Sequence, residues 1–181
     1  MARKETNLPQ ELINVWADQD RELRASWSRG EVRWETVASA DVDHSIGLER
    51  CVTKLGWRAL FDGDRSVSDD AWLIVQHSNR RPEFQKRCLT EWKSTGLLPD
   101  WQVAFLEDRV ALAEGRPQVF GSQVQRRPDG TWRLWPTTAR SETELDSIRR
   151  DAGLPPIGAY FESVTGQKWT PNTPPDDIDN S

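Results

Sequence analysis

Histidine, cysteine, tyrosine and methionine are scarce in this chain of 181 residues: two histidines, two cysteines, one tyrosine and one methionine. Each scarcity removes a class of chemistry. His44 and His77 show neither HExxH nor HxH spacing, so the pattern predicts no metal centre, and nothing in it calls for a cofactor. Cys51 and Cys88 lack CxxC spacing and sit among apolar, helix-patterned neighbours, which predicts buried free thiols and no disulfide or metal clip. Long apolar runs are also missing. The longest, AWLIV (71–75), falls far short of the ~20 residues that span a bilayer, so no membrane segment is expected. The opening MARKETNLPQEL lacks the apolar stretch of a secretory signal, and the expected location is cytoplasmic. A basic field is absent too. At a net charge of -5, nucleic acid is not an expected partner.

What is present points to one folded body. A length of 181 residues, 36% hydrophobic and 29% charged, suits a soluble domain that buries roughly 70% of its unfolded surface. Residues 1–169 are expected to form a single globular domain. Residues 170–181, TPNTPPDDIDNS, hold Asp176, Asp177 and Asp179 and almost nothing to bury, which predicts a disordered acidic tail. The arginine groups at 79–81, 125–127 and 149–150 read as solvated side chains. Ten tryptophans are spread along the chain without a repeat period, and are expected mostly in the core, with some framing a cavity.

Periodicity predicts a mainly α fold, a helical bundle of about six or seven helices with one β-hairpin inserted near 118–136. Helices are expected over 9–29 and 41–55, with Gly30 and Gly56 as stops. A loop follows over 56–66, where Asp62-Gly63-Asp64 reads as a turn because the other ligands of a calcium loop are missing. The next helix begins after Ser66 or Ser68 and ends near Ser78. Another begins at Pro82, stacks Phe84, Cys88 and Trp92, and stops at Gly96. A fifth runs from Pro99-Asp100 to Gly115 with Arg109 beside its apolar face. Alternation on either side of Pro128-Asp129-Gly130 marks the hairpin over 119–136. Helices over 142–152 and 155–165 complete the pattern.

Two polar stretches interrupt apolar surroundings. Gln76-His77 closes AWLIVQH (71–77), each residue one turn after a large apolar one, and GRPQVFGSQ (115–123) sets Arg116, Gln118, Ser122 and Gln123 around a turn. With Gln85 and Arg109 they read as the lining of a pocket: His77 as general base, and Gln76, Gln85, Arg109, Arg116, Gln118, Ser122 and Gln123 as substrate-binding groups. Such a set suits a small polar or anionic ligand. Gln118 and Gln123 are five apart, so a regular strand would separate their faces unless it bulges at Gly121. Bland readings stand beside these: His77 as a core or capping residue, the glutamines as ties between helix ends and loops, and Arg116 and Gln118 as anchors of the hairpin. A non-catalytic ligand-binding or immunity-type interaction module is the alternative function.

The combination of VQH (75–77), FQ (84–85), DRV (108–110) and GRPQVFGSQ (115–123), followed by SIRRDAGLPPIGAYFE (147–162), resembles a family of bacterial proteins of uncharacterised function, common in actinobacteria, over about 18–161. The resemblance implies no particular reaction. That family usually has tyrosine where this chain has Phe120 and threonine where it has Ser122, so no step through a phenol at position 120 is implied here.

Overall fold

The computed structural model describes residues 3–61 and 65–170. It divides into two compact units, one up to Leu98 and one from Pro99 on. The Asp62-Gly63-Asp64 turn and residues 171–181 of the expected tail lie outside the described residues.

The first unit is a helical bundle. Helices α1 (Arg3–Ser28), α2 (Trp34–Leu55), α3 (Trp57–Phe61), α4 (Arg65–His77) and α5 (Pro82–Thr95) follow in order. α1 and α2 form an antiparallel pair through the turn at Gly30; α4 packs on α1 and α2, and α5 packs on α4. Their apolar stripes meet in one core containing Ile13, Ala17, Val37, Leu48, Val67, Ala71, Ile74, Val75, Phe84, Cys88 and Trp92. Trp57 and Trp92 meet edge to face at 5.0 Å, an arrangement the ring quadrupoles favour. α5 starts with Pro82 in its first turn and stops where Gly96 takes a φ of 61° and donates its N–H to the Trp92 carbonyl. A left-handed residue costs glycine little because it has no Cβ.

The second unit contains α6 (Asp100–Ala113), β1 (Val124–Arg126), β2 (Trp132–Leu134), α7 (Glu142–Asp151) and α8 (Ile157–Thr165). β1 and β2 pair antiparallel, with Val124 opposite Leu134 and Arg126 opposite Trp132. Ala104, Ala152 and Leu154 are buried together against Trp101, Phe105 and Phe120.

The fold class is therefore mainly α, with eight helices among the described residues and a small hairpin. The structure corrects several local expectations. α1 begins at Arg3 instead of near Pro9, continuing past the proline, which removes one backbone donor. α2 begins at Trp34 instead of near Asp41, because its first turns bury Val37 and Ala38. The expected loop over 56–66 holds α3, which buries Trp57 and Leu60; five residues are too few for a helical period to register. α4 starts at Arg65, so Ser66 and Ser68 lie inside it. The hairpin strands have three residues each, and residues 118–123 leave the expected strand for a loop. The tryptophans are not mostly core. Trp57 and Trp92 are buried, while the others are half-buried or exposed, Trp27 and Trp34 among them at the turn that joins α1 to α2.

Candidate functional site

α4 ends at His77 because its last carbonyls find partners outside the helix. Ser78 Oγ donates to the Ile74 carbonyl at 2.7 Å. The buried Gln85 side chain on α5 donates Nε2–H to the Val75 carbonyl at 2.9 Å and to that of Gln76 at 3.2 Å. Gln85 is thus a clasp on a helix end. Gln76 is buried, and His77, the next residue round the helix, meets side chains of α1.

There His77 joins Asp20, Arg24 and Asp41. Its Nδ1 is 2.8 Å from Asp20 Oδ2 and 2.9 Å from Arg24 Nε. Both cannot be hydrogen bonds to one nitrogen in the same protonation state. Arg24 Nε also lies 3.0 Å from Asp20 Oδ1, a better acceptor than imidazole, and so the consistent arrangement has His77 donate Nδ1–H to Asp20 while Arg24 donates to the other oxygen. Arg24 Nη2 then reaches both oxygens of Asp41, at 2.8 and 2.9 Å. The Arg24 guanidinium lies 5.7 Å from the centre of the Trp34 ring. Asp20 and Asp41 are buried, and His77 keeps 19% of its side chain exposed. Arg21 adds an ion pair from α1 to Asp70 on α4.

Burial and charge set the two carboxyls apart. Burial alone would raise Asp20, but the His77 hydrogen bond and charge, with Arg24, outweigh it and hold the group below its ordinary value. Asp41 is pushed up to about 6, chiefly by burial and further by repulsion from Asp20, against the pull of Arg24. Two carboxylates share one guanidinium here, so the cluster carries a full negative charge unless it takes up one proton.

His44, one turn beyond Asp41 on α2, is only 7% exposed. Its ring stacks on Trp16 at 6.4 Å, and Nε2 meets Gln19 Oε1 at 3.2 Å. Burial lowers its pKa, partly opposed by Asp20 and Asp43. Trp16 can lie there only because residue 47 is glycine: a Cβ would fall 2.5 Å from Trp16 Cη2. Beside His44 a groove of about 320 Å³ opens between α1 and α2, lined by Gln19, Glu22, Leu23, Ser26, Ala40 and His44.

In the second unit the expected binding groups of 115–123 are turned onto their own loop. Buried Gln118 donates to the carbonyls of Gln123 and Trp135 at 3.1 and 2.8 Å and accepts the Gln123 N–H at 2.9 Å. Gln123 Nε2 in turn donates to Ser122 Oγ at 2.9 Å. Gly121 makes this possible. Its φ of 65° is left-handed, and a Cβ would press at 3.3 Å on Ile157 and Leu134. Asp108, fully buried on α6, accepts the N–H groups of Val119, Phe120 and Ser122 at 2.7, 2.9 and 2.8 Å. Arg149, also fully buried, donates to the Phe120 and Pro155 carbonyls at 2.5 and 2.6 Å and stacks on Tyr160 at 4.7 Å. Tyr160 donates its hydroxyl to the Ser122 carbonyl at 2.6 Å. Arg116 is exposed and pairs with Glu114. Arg109 is half-buried on α6, its charge reaching Tyr160.

The structure thus brings Gln118, Ser122 and Gln123 together as one hydrogen-bonded loop, with Arg116 paired outside it. In the other unit, Gln85 meets the backbone at Gln76. A depression of about 500 Å³ in the second unit is lined by residues including Asp146, Ser147 and Arg150. Neither it nor the α1–α2 groove is lined by a sequence-predicted site residue. Sequence reading missed Asp20, Arg24, Asp41, Asp108 and Arg149. Among the described residues, no three His, Cys, Asp or Glu side chains come together as metal ligands, and no helix is long and apolar enough to cross a membrane. No family model, curated protein or solved structure matches the chain.

Proposed function

We propose that the chain is a cytoplasmic small-molecule-acting protein, a member of the uncharacterised bacterial family its motifs resemble, with no nucleic-acid partner. Its chemistry is metal-independent acid–base catalysis on a polar substrate, centred on His77. The observation carrying this reading is the 2.8 Å contact of His77 Nδ1 with buried Asp20. A carboxylate on Nδ1–H fixes the ring and its tautomer, puts the lone pair of the neutral imidazole on Nε2, and stabilises the imidazolium formed when a proton is taken. Arg24 keeps Asp20 ionised, and Asp41, with a pKa of about 6, holds a second exchangeable proton in the same cluster. A positioned histidine of this kind contributes ~10²–10⁴-fold to rate.

Gln76, Gln85, Gln118, Ser122 and Gln123 then serve mainly to hold helix ends and the loop in place. Of the polar and anionic ligands that the set suits, the pairing of Arg116 with Glu114 favours the polar one. The test is a metabolite screen by thermal shift, followed by turnover assays on each stabilising compound. His77→Gln is expected to retain binding and lose ~10²–10⁴-fold in kcat. Full turnover by that variant refutes the reading. The inward hydrogen bonds of Gln85, Gln118 and Gln123 favour a second one, a non-catalytic ligand-binding or immunity-type interaction module. Its expected outcome is a ligand bound and never converted.

A further inference from the structure

We propose that the α1–α2 groove lined by His44 is a binding site for a small organic cation, a primary ammonium on a short alkyl stem. The wall chemistry selects that class. Leu23 and Ala40 supply apolar surface, while Gln19, Glu22, Ser26 and His44 supply polar groups. The His44 ring donates Nε2–H to Gln19 Oε1 at 3.2 Å, which leaves its acceptor lone pair on Nδ1. An ammonium needs acceptors only, and the Glu22 carboxylate, the Ser26 hydroxyl and the neutral imidazole among the lining side chains can each accept.

The sign of the local charge agrees. Glu22 is exposed on α1, and Asp20 and Asp43 both act on His44. Arg29 reaches Ser26 Oγ at 3.2 Å and its charge acts on Glu22, but both Glu31 oxygens hold its guanidinium, at 2.7 and 2.8 Å, and the hydrogen bond to Glu31 is the stronger pull on it. Arg24 is engaged by Asp20 and Asp41. The walls therefore offer an anionic ligand no unengaged guanidinium. Burial favours the neutral His44 ring, with Asp20 and Asp43 opposing it. The site is also fixed in shape, because Trp16 backs the His44 ring and Gly47 leaves room for Trp16 alone.

The test is a titration of the full chain, followed by amide and imidazole NMR, with three probes of one shape: n-butylammonium, n-butanol and butyrate. Butylammonium is expected to give saturable shifts at Gln19, Ser26, Ala40 and the His44 ring, with butanol and butyrate at least about tenfold weaker. Glu22→Gln, a change on an exposed helix face, is expected to weaken butylammonium about two- to fivefold. His77→Gln is expected to leave this binding unchanged, so failure of the acid–base centre and failure of the groove are read separately. Equal binding of butyrate or butanol, butylammonium shifts that never saturate, or no effect of Glu22→Gln overturns the proposal.

Discussion

Replacing Asp41 with asparagine removes a carboxyl that the fold makes keep its proton to a higher pH than an ordinary aspartate does. In the unfolded chain an aspartate titrates near 3.8, whereas in the folded protein Asp41 titrates at about 6. The native state therefore binds the proton more tightly, and Asp41's contribution to stability is greatest below pH 3.8. It falls as pH rises towards 6 and stays low above that. The separation corresponds to about 3 kcal/mol at pH 7. The amide oxygen that Asp41→Asn introduces still accepts from Arg24 but cannot titrate, so the penalty for losing the two-oxygen pairing is nearly constant with pH. Relief of repulsion on Asp20 acts in the same direction. The stability difference, variant minus wild type, should thus grow by roughly 2 kcal/mol from pH 4 to pH 7, the rest of the span lying below pH 4. Urea denaturation at half-unit pH steps reads it directly, since titrations of groups that do not interact with Asp41 cancel in the difference. Asp20→Asn is the control of opposite sign. Asp20 is held below its ordinary value, so it stabilises at neutral pH and loses that contribution as pH falls through its folded pKa. A flat Asp41→Asn difference, or one that shrinks with rising pH, refutes this account of the cluster.

Other consequences follow from single contacts. Asp108→Ala leaves three N–H groups of the 119–122 loop without their acceptor, at about 1–3 kcal/mol each where water cannot enter. Amide exchange at positions 119, 120 and 122 should accelerate by orders of magnitude, and unchanged protection would contradict the role given to Asp108. Gly47→Ala sets a methyl 2.5 Å from Trp16 and should destabilise the first unit by about 1–3 kcal/mol. Near-ultraviolet dichroism and the His44 ring shifts should move with it, and a silent substitution would show that Trp16 does not pack as described.

Much of the architecture was legible in the chain because periodicity reports burial. Phe84, Cys88 and Trp92 recur every fourth residue between Pro82 and Gly96, and α5 occupies those bounds. The polar residues singled out in apolar surroundings are in fact inside: Gln76, Gln85, Gln118 and Ser122 are all buried. Their partners were not legible. A buried glutamine satisfies its amide with whichever carbonyls the tertiary fold brings near, and those belong to other elements for Gln85 and to the loop and the far strand end for Gln118. Asp20 and Arg24 carry no mark in the sequence beyond an i,i+4 spacing, because only the packing of α2 and α4 against α1 takes them out of water. One signal was available for Asp108: an acid four residues after Ala104 and three before Ala111, both buried, on one side of α6. Length explains why α3 was missed, and the size of indole explains why most tryptophans keep a solvent-facing edge.

The proposed chemistry rests on the orientation of one imidazole. Long-range proton–nitrogen NMR of His77 at a pH where the ring is neutral reports which nitrogen carries the hydrogen. The expected result is the Nδ1–H form, donated to Asp20, with that preference lost in Asp20→Asn. A neutral His77 protonated on Nε2, its bare Nδ1 accepting from Arg24, would contradict it.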